Sequence, residues 1–195
     1  MTMISAIILA AGESKRMGQP KMVLPWGTTT VLGQVISTFR MAGVDDIVVV
    51  VGGAHEKVEK IVLQNGARSV FNTEFANGEM LPSLQCGIRA QSPQAQATLV
   101  GLGDQPQVQE GTVRLIRETF ELTTSHLIVP SFQMRRGHPW LVHRSLWDEL
   151  LGMQHPQSPR EFLNKHAEEI QYIEVQTPSI LADLDTMEEY RQARP

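Results

Sequence analysis

The run Asp46-Ile47-Val48-Val49-Val50-Val51, closed by Gly52 and Gly53, constrains the fold more than any other stretch of this chain. Every residue after the aspartate is β-branched, so the segment favours extended backbone. It shows no polar alternation, so neither face of the resulting strand is left to water. A short strand covered on both faces belongs to a parallel or mostly parallel sheet flanked by helices.

The remaining segments fit that architecture. Ile7-Ile8-Leu9-Ala10 is a second apolar strand, and it runs into a loop rich in glycine and cations, Gly12 to Lys21. Leu24-Pro25-Trp26-Gly27 reads as a turn. Thr30 is placed to cap a helix carrying Val31, Leu32, Val35, Ile36 and Phe39 on one stripe, with Gly43 as its stop. A helix is predicted over His55 to Gln64, stopped by Asn65-Gly66, and a strand over Arg68 to Phe71. Pro82 suits a first helical turn, and Ser92-Pro93-Gln94 breaks that helix. Thr98 to Gly103 is predicted as a strand that delivers Asp104 to its carboxyl end. A helix around Val113, Leu115, Ile116 and Phe120 follows, then a strand over His126 to Val129 stopped by Pro130. This alternation is that of an α/β layered fold with right-handed crossovers, in which ligands gather beyond the carboxyl ends of the strands. The last third is less regular, with a hairpin or excursion over Ser131 to Val142 and short helices over Leu146 to Leu151 and Arg160 to His166. A strand over Ile170 to Val175 and a closing polar helix through Tyr190 complete it.

Composition removes several classes of function. A chain of 195 residues suits one sizeable core, read here as one domain over 1–195. No apolar run approaches the roughly 20 residues needed to cross a bilayer, and the opening residues lack the basic stretch of a secretory leader. A formal charge of −4 gives no general attraction for nucleic acid. The one cysteine, Cys86, allows no intrachain disulfide and no multi-cysteine metal site, which points to the cytoplasm. Lying between Leu84 and Ile88 in a helix, it is expected to face the core. The six histidines show no metal-ligand spacing, so no zinc is assigned, and Trp26, Trp140 and Trp147 read as packing residues.

The loop after the first strand carries the chemistry. Its glycines let backbone approach a ligand, and free N–H groups beside Lys15, Arg16 and Lys21 suit phosphate oxygens. It lacks both the Gly-Lys-Ser/Thr ending of a P-loop and the spacing of a dinucleotide fingerprint. The whole string Leu9-Ala10-Ala11-Gly12-Glu13-Ser14-Lys15-Arg16-Met17-Gly18-Gln19-Pro20-Lys21 resembles the L-A-A-G-x-S-x-R-M-G-x-x-K signature of MobA-like NTP transferases, the nucleotidyltransferases related to molybdenum-cofactor biosynthesis. Gly103-Asp104-Gln105-Pro106 is similar to the metal-binding G-D-Q-P of the molybdenum cofactor cytidylyltransferase branch. Gly78-Glu79-Met80-Leu81-Pro82-Ser83-Leu84 resembles its G-M-x-x-S-L with one additional residue, and Asp183 to Tyr190 resembles D-I-D-T-P-E-D-Y with Met187 in place of proline.

The resemblance implies a three-layer α/β/α, Rossmann-like nucleotidyltransferase fold with a mostly parallel sheet, and a magnesium-dependent transfer of a nucleotidyl group. The expected donor is CTP, the expected acceptor a molybdopterin phosphate, and the by-product pyrophosphate. It assigns the leaving pyrophosphate to Arg16, α-phosphate charge to Lys21, and Mg2+ to Asp104 and Asp185, with Asp183 an alternative to Asp185 and an N-cap of the last helix an alternative role for Asp185. Leu9, Ala10, Ala11, Gly12, Gly78 and Ser83 are expected at the nucleotide, and Arg136 and His138 of Arg135-Arg136-Gly137-His138-Pro139 at the acceptor; a basic turn around a buried histidine is the competing reading of that cluster. Ser83 could instead cap backbone in its helix. Guanylyltransferase relatives tend to carry L-A-G-G, so Ala11 leans the base toward cytosine. Other acceptors (sugar, polyol or phospholactate phosphates), GTP as donor, and a non-catalytic nucleotide-binding maturation protein stay open. A transient contact with a molybdoenzyme or its maturation factor is a further implication.

Overall fold

The computed structural model describes residues 3–77, 79–123 and 125–195. The opening strand β1 (Ile4–Ala10) is buried along its whole length. A small antiparallel hairpin, β2 (Pro25–Trp26) and β3 (Thr29–Thr30), occupies the segment read as a simple turn, with Gly27 at φ +56° in its bend. Helix α1 (Val31–Met41) begins where expected: the Thr30 side chain accepts from the Gly33 N–H, satisfying one orphan donor. Gly43, at φ +83°, reverses the chain after it. The β-branched run is β4 (Asp46–Val51), followed by α2 (His55–Gln64), β5 (Arg68–Phe71), α3 (Met80–Arg89), β6 (Ala97–Leu102) and α4 (Glu110–Leu122).

Strand β7 (Leu127–Phe132) runs through Pro130 instead of stopping there. Proline lacks the N–H, yet its carbonyl still accepts from Gly137, and the position lies where pairing passes from one neighbour to the next. The excursion is a tight hairpin to β8 (Arg135–Arg136) through Gln133 and Met134, both left-handed. After β9 (Trp140–His143) come α5 (Trp147–Gly152), α6 (Pro159–Lys165), β10 (Gln171–Glu174) and α7 (Met187–Ala193).

The sheet order is β10-β7-β9-β6-β1-β4-β5, with β8 added to β7. All neighbours along that path are parallel except β9, which runs antiparallel between β7 and β6. The sheet is therefore mostly parallel, as expected. Alternate β1 residues feed opposite layers. Ile4, Ala6, Ile8 and Ala10 join the cluster containing Leu32, Ile36, Phe39 and Ile116, while Ile7 and Leu9 join the one containing Leu84, Ile88, Trp140 and Phe162. Full burial of a side chain such as Phe39 contributes about 1.5–3 kcal/mol. A third cluster ties the C-terminal segment to the hairpin through Trp26, Leu184 and Tyr190, and the Tyr190 hydroxyl donates to the Pro25 carbonyl at 2.6 Å. The three tryptophans are buried. Cys86 packs against the cluster of Leu84 and Ile88, as expected, but is only partly buried, its Sγ 3.7 Å from the carbonyl oxygen of Phe71 on the edge strand β5. Among the described residues no helix is long and apolar enough to cross a membrane.

Candidate active site

Parallel register brings three chain turns to one edge. β1 pairs with β4 from Ser5↔Asp46 to Ala10↔Val51 and with β6 from Ile4↔Ala97 to Leu9↔Leu102, so Ala11, Gly52 and Gly103 emerge side by side. The Gly103 N–H donates to the Leu9 carbonyl at 2.9 Å, which continues the pairing one step past β6 and fixes the approach of Asp104. The loop after β1 is folded by its own side chain. Ser14, at φ +54°, accepts the Lys21 N–H on its Oγ at 3.1 Å, and its carbonyl accepts the Met17 N–H at 3.0 Å. This closure turns Lys21 back over the sheet edge.

There Lys21 Nζ donates to Asp104 Oδ2 and, at 3.3 Å, to Asp185 Oδ1. The lysine and Asp104 side chains are only 12% and 16% exposed. Burial alone would lower the lysine pKa, but the Asp104 and Asp185 carboxylates outweigh it and the net shift is upward. Lys21 is thus a permanent cation at neutral pH. Arg16 Nη1 lies 3.6 Å from Asp185 Oδ2 and its side chain is 79% exposed, so it stands at the rim, free to follow a ligand. The side chain of Lys15 and all of Gly78 lie outside the described residues.

Asp183 and Asp185, two residues apart, are separated by their partners. Asp183 Oδ1 accepts from Gln105 Nε2 at 2.7 Å, and its pKa is raised by burial first and then by the nearby Asp104 charge. Asp185 takes the lysine. The Leu184 N–H donates to the Asp104 carbonyl at 3.1 Å, which clips the C-terminal segment beside the metal-type motif. The N-cap of α7 is Thr186: its side chain accepts the Glu189 N–H, and the Glu189 carboxylate accepts the Thr186 and Asp185 N–H groups. That capping box relieves Asp185 of the cap role and leaves its carboxylate for the cleft.

A cleft of roughly 320 Å³ opens over these groups, lined by Lys21, Asp104, Asp183 and Asp185 and also by Ala11, Gly12 and Ser83. Leu9 also lines it, whereas Ala10 is directed into the core beneath. Ser83 caps nothing. Its hydroxyl accepts from Asn72 Nδ2 at 3.0 Å, and the helix it belongs to has no side-chain cap. Sequence reading did not assign Phe75, Glu79, Met22 or Leu102 to this cleft, nor Gly52 to a place behind its lining residues Ala11 and Phe75. The only signal for Gly52 was the Gly52-Gly53 pair, read as a strand stop.

Arg136 and His138 line a second cavity of roughly 1010 Å³, which meets the first at Met80. Arg136 donates to the Tyr172 hydroxyl and to Asn164 Oδ1, both at 2.8 Å, with its guanidinium 5.5 Å from the Tyr172 ring centre. Burial lowers the His138 pKa to about 4, so its ring is neutral at pH 7 and brings no charge to an anion. Gly137 explains the motif's glycine: a Cβ there would lie 2.4 Å from the Ile180 carbonyl oxygen. The Gly137-His138 backbone seats the segment that leads to Asp183 and Asp185, and the His138 N–H donates to that same carbonyl at 3.1 Å.

A mostly parallel sheet flanked by helices, with a buried lysine held by carboxylates at its carboxyl edge beside a small-residue turn, defines a nucleotidyltransferase. Its particular kind follows from comparison: the chain belongs to the MobA-like NTP transferase domain family, which it matches over residues 6–170. It is 28% identical to the molybdenum cofactor cytidylyltransferase of Escherichia coli (strain K12), over all of this chain and 97% of that one. It is also 28% identical to nicotine blue oxidoreductase of Paenarthrobacter nicotinovorans, over 95% of this chain and 94% of the other. The crystal structure of Rv0371c from Mycobacterium tuberculosis superposes with a TM-score of 0.85 at 29% identity, covering 98% of this chain and 97% of that one. A manganese complex of the same protein superposes at 0.76 with 27% identity, over the same shares of both chains.

Proposed function

We propose that this chain transfers CMP from CTP to the phosphate of a molybdopterin-type acceptor and releases pyrophosphate. The observation that carries the reading is the contact of one buried lysine with both Asp104 and Asp185, beside the Ala11-Gly12 turn. An oxygen of the acceptor phosphate attacks the α-phosphorus, and the bond from that phosphorus to the α,β-bridging oxygen breaks, its electron pair leaving with pyrophosphate. Such a reaction needs positioned charge more than covalent help from the protein. Lys21 offsets charge gathering on the α-phosphate. Arg16, exposed at the rim, pairs with the departing pyrophosphate. The acceptor reaches the α-phosphate from the Arg136 cavity, where Arg135, Arg136 and Arg160 attract its phosphate.

Asp104 and Asp185 fit a magnesium ion. They are hard oxygen donors, and one or two carboxylates are what magnesium takes from a protein when phosphate oxygens and water complete its shell. When bound, the ion supplies further neutralisation of phosphate charge. Lys21 lies between the same two carboxylates, so it neutralises them while no nucleotide is present. The manganese complex of the mycobacterial relative supports a divalent ion in this fold, and the name of the Escherichia coli relative supports both base and acceptor. The methyl of Ala11 at the wall of the base end favours the smaller base, an effect of about 1–3 kcal/mol.

Pyrophosphate release, measured with CTP, UTP, GTP and ATP against molybdopterin and a panel of sugar, polyol and phospholactate phosphates, tests the reading. CTP with molybdopterin is expected to dominate. A preference for GTP overturns the base, turnover on another acceptor overturns the acceptor, and no pyrophosphate from any pair overturns the transfer.

A further inference from the structure

The cleft has two ends of unlike chemistry, and that contrast orients a nucleoside triphosphate within it. The phosphates are drawn to Lys21, so the flat, neutral base takes the small and apolar end. Phe75 is the one aromatic side chain among the described residues lining the cleft. It opens a short 3-10 turn, Phe75–Asn77, whose first N–H donates to the Asn72 carbonyl at 3.4 Å.

The ring is backed by other side chains and by backbone. Phe71 packs on it with ring centres 5.8 Å apart, and His55 packs on Phe71 at 5.1 Å. Behind it lie the two glycines that end β4: a Cβ at Gly52 would sit 2.7 Å from the Phe75 Cβ, and one at Gly53 would sit 3.4 Å from its Cε2. The same Gly52 position is 2.3 Å from the Ala11 carbonyl oxygen. One backbone point, the residue just past β4, therefore backs both Phe75 and Ala11.

We infer that Phe75 is a specificity-determining residue, the fixed wall that admits a one-ring pyrimidine to the base end and excludes a two-ring purine. The inference rests on the reading that this cleft holds the triphosphate. Base selection is then steric, and independent of any side chain that hydrogen-bonds the base edge.

The test is equilibrium binding of CTP and GTP, by calorimetry with magnesium, to the wild type and to Phe75→Ala, Phe75→Val and Phe75→Tyr. Thermal melts accompany each variant. The GTP-to-CTP affinity ratio is expected to rise at least ten-fold in Phe75→Ala, less in Phe75→Val, and to stay at the wild-type value in Phe75→Tyr. Loss of fold would depress both nucleotides together and leave the ratio unmoved. An unchanged ratio in a Phe75→Ala or Phe75→Val variant that melts cooperatively overturns the inference, and so does a wild type that binds GTP as tightly as CTP. Pyrophosphate release is read in parallel: CTP binding without turnover overturns the proposed transfer while the base wall stands.

Discussion

Gly52→Ala is the most direct probe of how the sheet shapes the cleft. The added methyl group would lie 2.3 Å from the Ala11 carbonyl oxygen, 2.9 Å from the Ala11 Cα and 2.7 Å from the Phe75 Cβ. Relaxed carbon–oxygen contacts begin near 3.3 Å and carbon–carbon contacts near 3.5 Å, so the neighbours must move by about 0.6–1 Å, the Ala11 carbonyl oxygen the furthest. The Gly53 N–H to Ala11 carbonyl hydrogen bond, already 3.4 Å long, would open further. Overpacking of this kind costs about 1–3 kcal/mol, which for a chain of this size lowers Tm by roughly 4–8 °C at the middle of that range. A displacement of about 1 Å at a substrate-positioning turn costs on the order of 100-fold in kcat/KM. Thermal melting and pyrophosphate release with CTP measure the two effects separately. Gly12→Ala is the stability control, since nothing lies within 4 Å of a Cβ there and its backbone needs no glycine; its Tm is expected within about 1 °C of wild type. If Gly52→Ala melted with the wild type and kept kcat/KM within about two-fold, the close approach of β4 to the Ala11 turn could not be what fixes the cleft.

Lys21→Met removes the cation between Asp104 and Asp185, so turnover should fall on the order of 100- to 1000-fold while manganese binding to the nucleotide-free protein tightens. Paramagnetic resonance of Mn2+ reads the second effect, and weaker manganese binding would contradict it. Gly137→Ala sets a Cβ 2.4 Å from the Ile180 carbonyl oxygen and 2.7 Å from the Ile180 side chain, which should displace the segment carrying Asp183 and Asp185. A lowered Tm together with lost turnover is expected, and full activity would refute the seating role. His138 titrates near 4 in the folded chain against about 6.5 when unfolded, because burial disfavours its charged form. The unfolded state binds the extra proton between those values, so this group's contribution to stability is complete above pH 6.5 and is lost as pH falls toward 4. Urea unfolding at pH 7 and pH 4.5 should show the wild type losing about 2–3 kcal/mol more than His138→Gln; an equal loss would refute the assignment.

The elements that the sequence made legible are those whose cause is local. The β-branched run 46–51, the His55–Gln64 helix with its Asn65-Gly66 stop, and the Thr30 cap depend on side chains within one turn or one strand of each other, and they lie where they were read. Lys21 was visible as a cation of the loop after the first strand, Asp104 as an acid at a strand end and Asp185 through the resemblance of the closing motif, and the fold brings them together. Proline 130 shows the limit of that reasoning. It stops a strand in isolation, yet β7 continues through it because β9 and β8 pair on either side of the lost donor while β10 runs unbroken along the other edge. The direction of β9 and the partial exposure of Cys86 were not written in any local pattern.

By itself the sequence determined an α/β chain with a cationic loop after its first strand and acids at two later turns, because propensity and strand-end chemistry act over a few residues. Tertiary structure alone decided which acid meets the lysine. Asp183 and Asp185 differ by one strand-like step, and the choice between them rests on Gln105, the Asp104 backbone and the Thr186–Glu189 capping box, groups brought together from across the chain. It also turned Gly52 from a strand stop into the backing of the cleft, since the meaning of a missing Cβ depends on what the parallel register sets beside it: the Ala11 carbonyl and the Phe75 side chain.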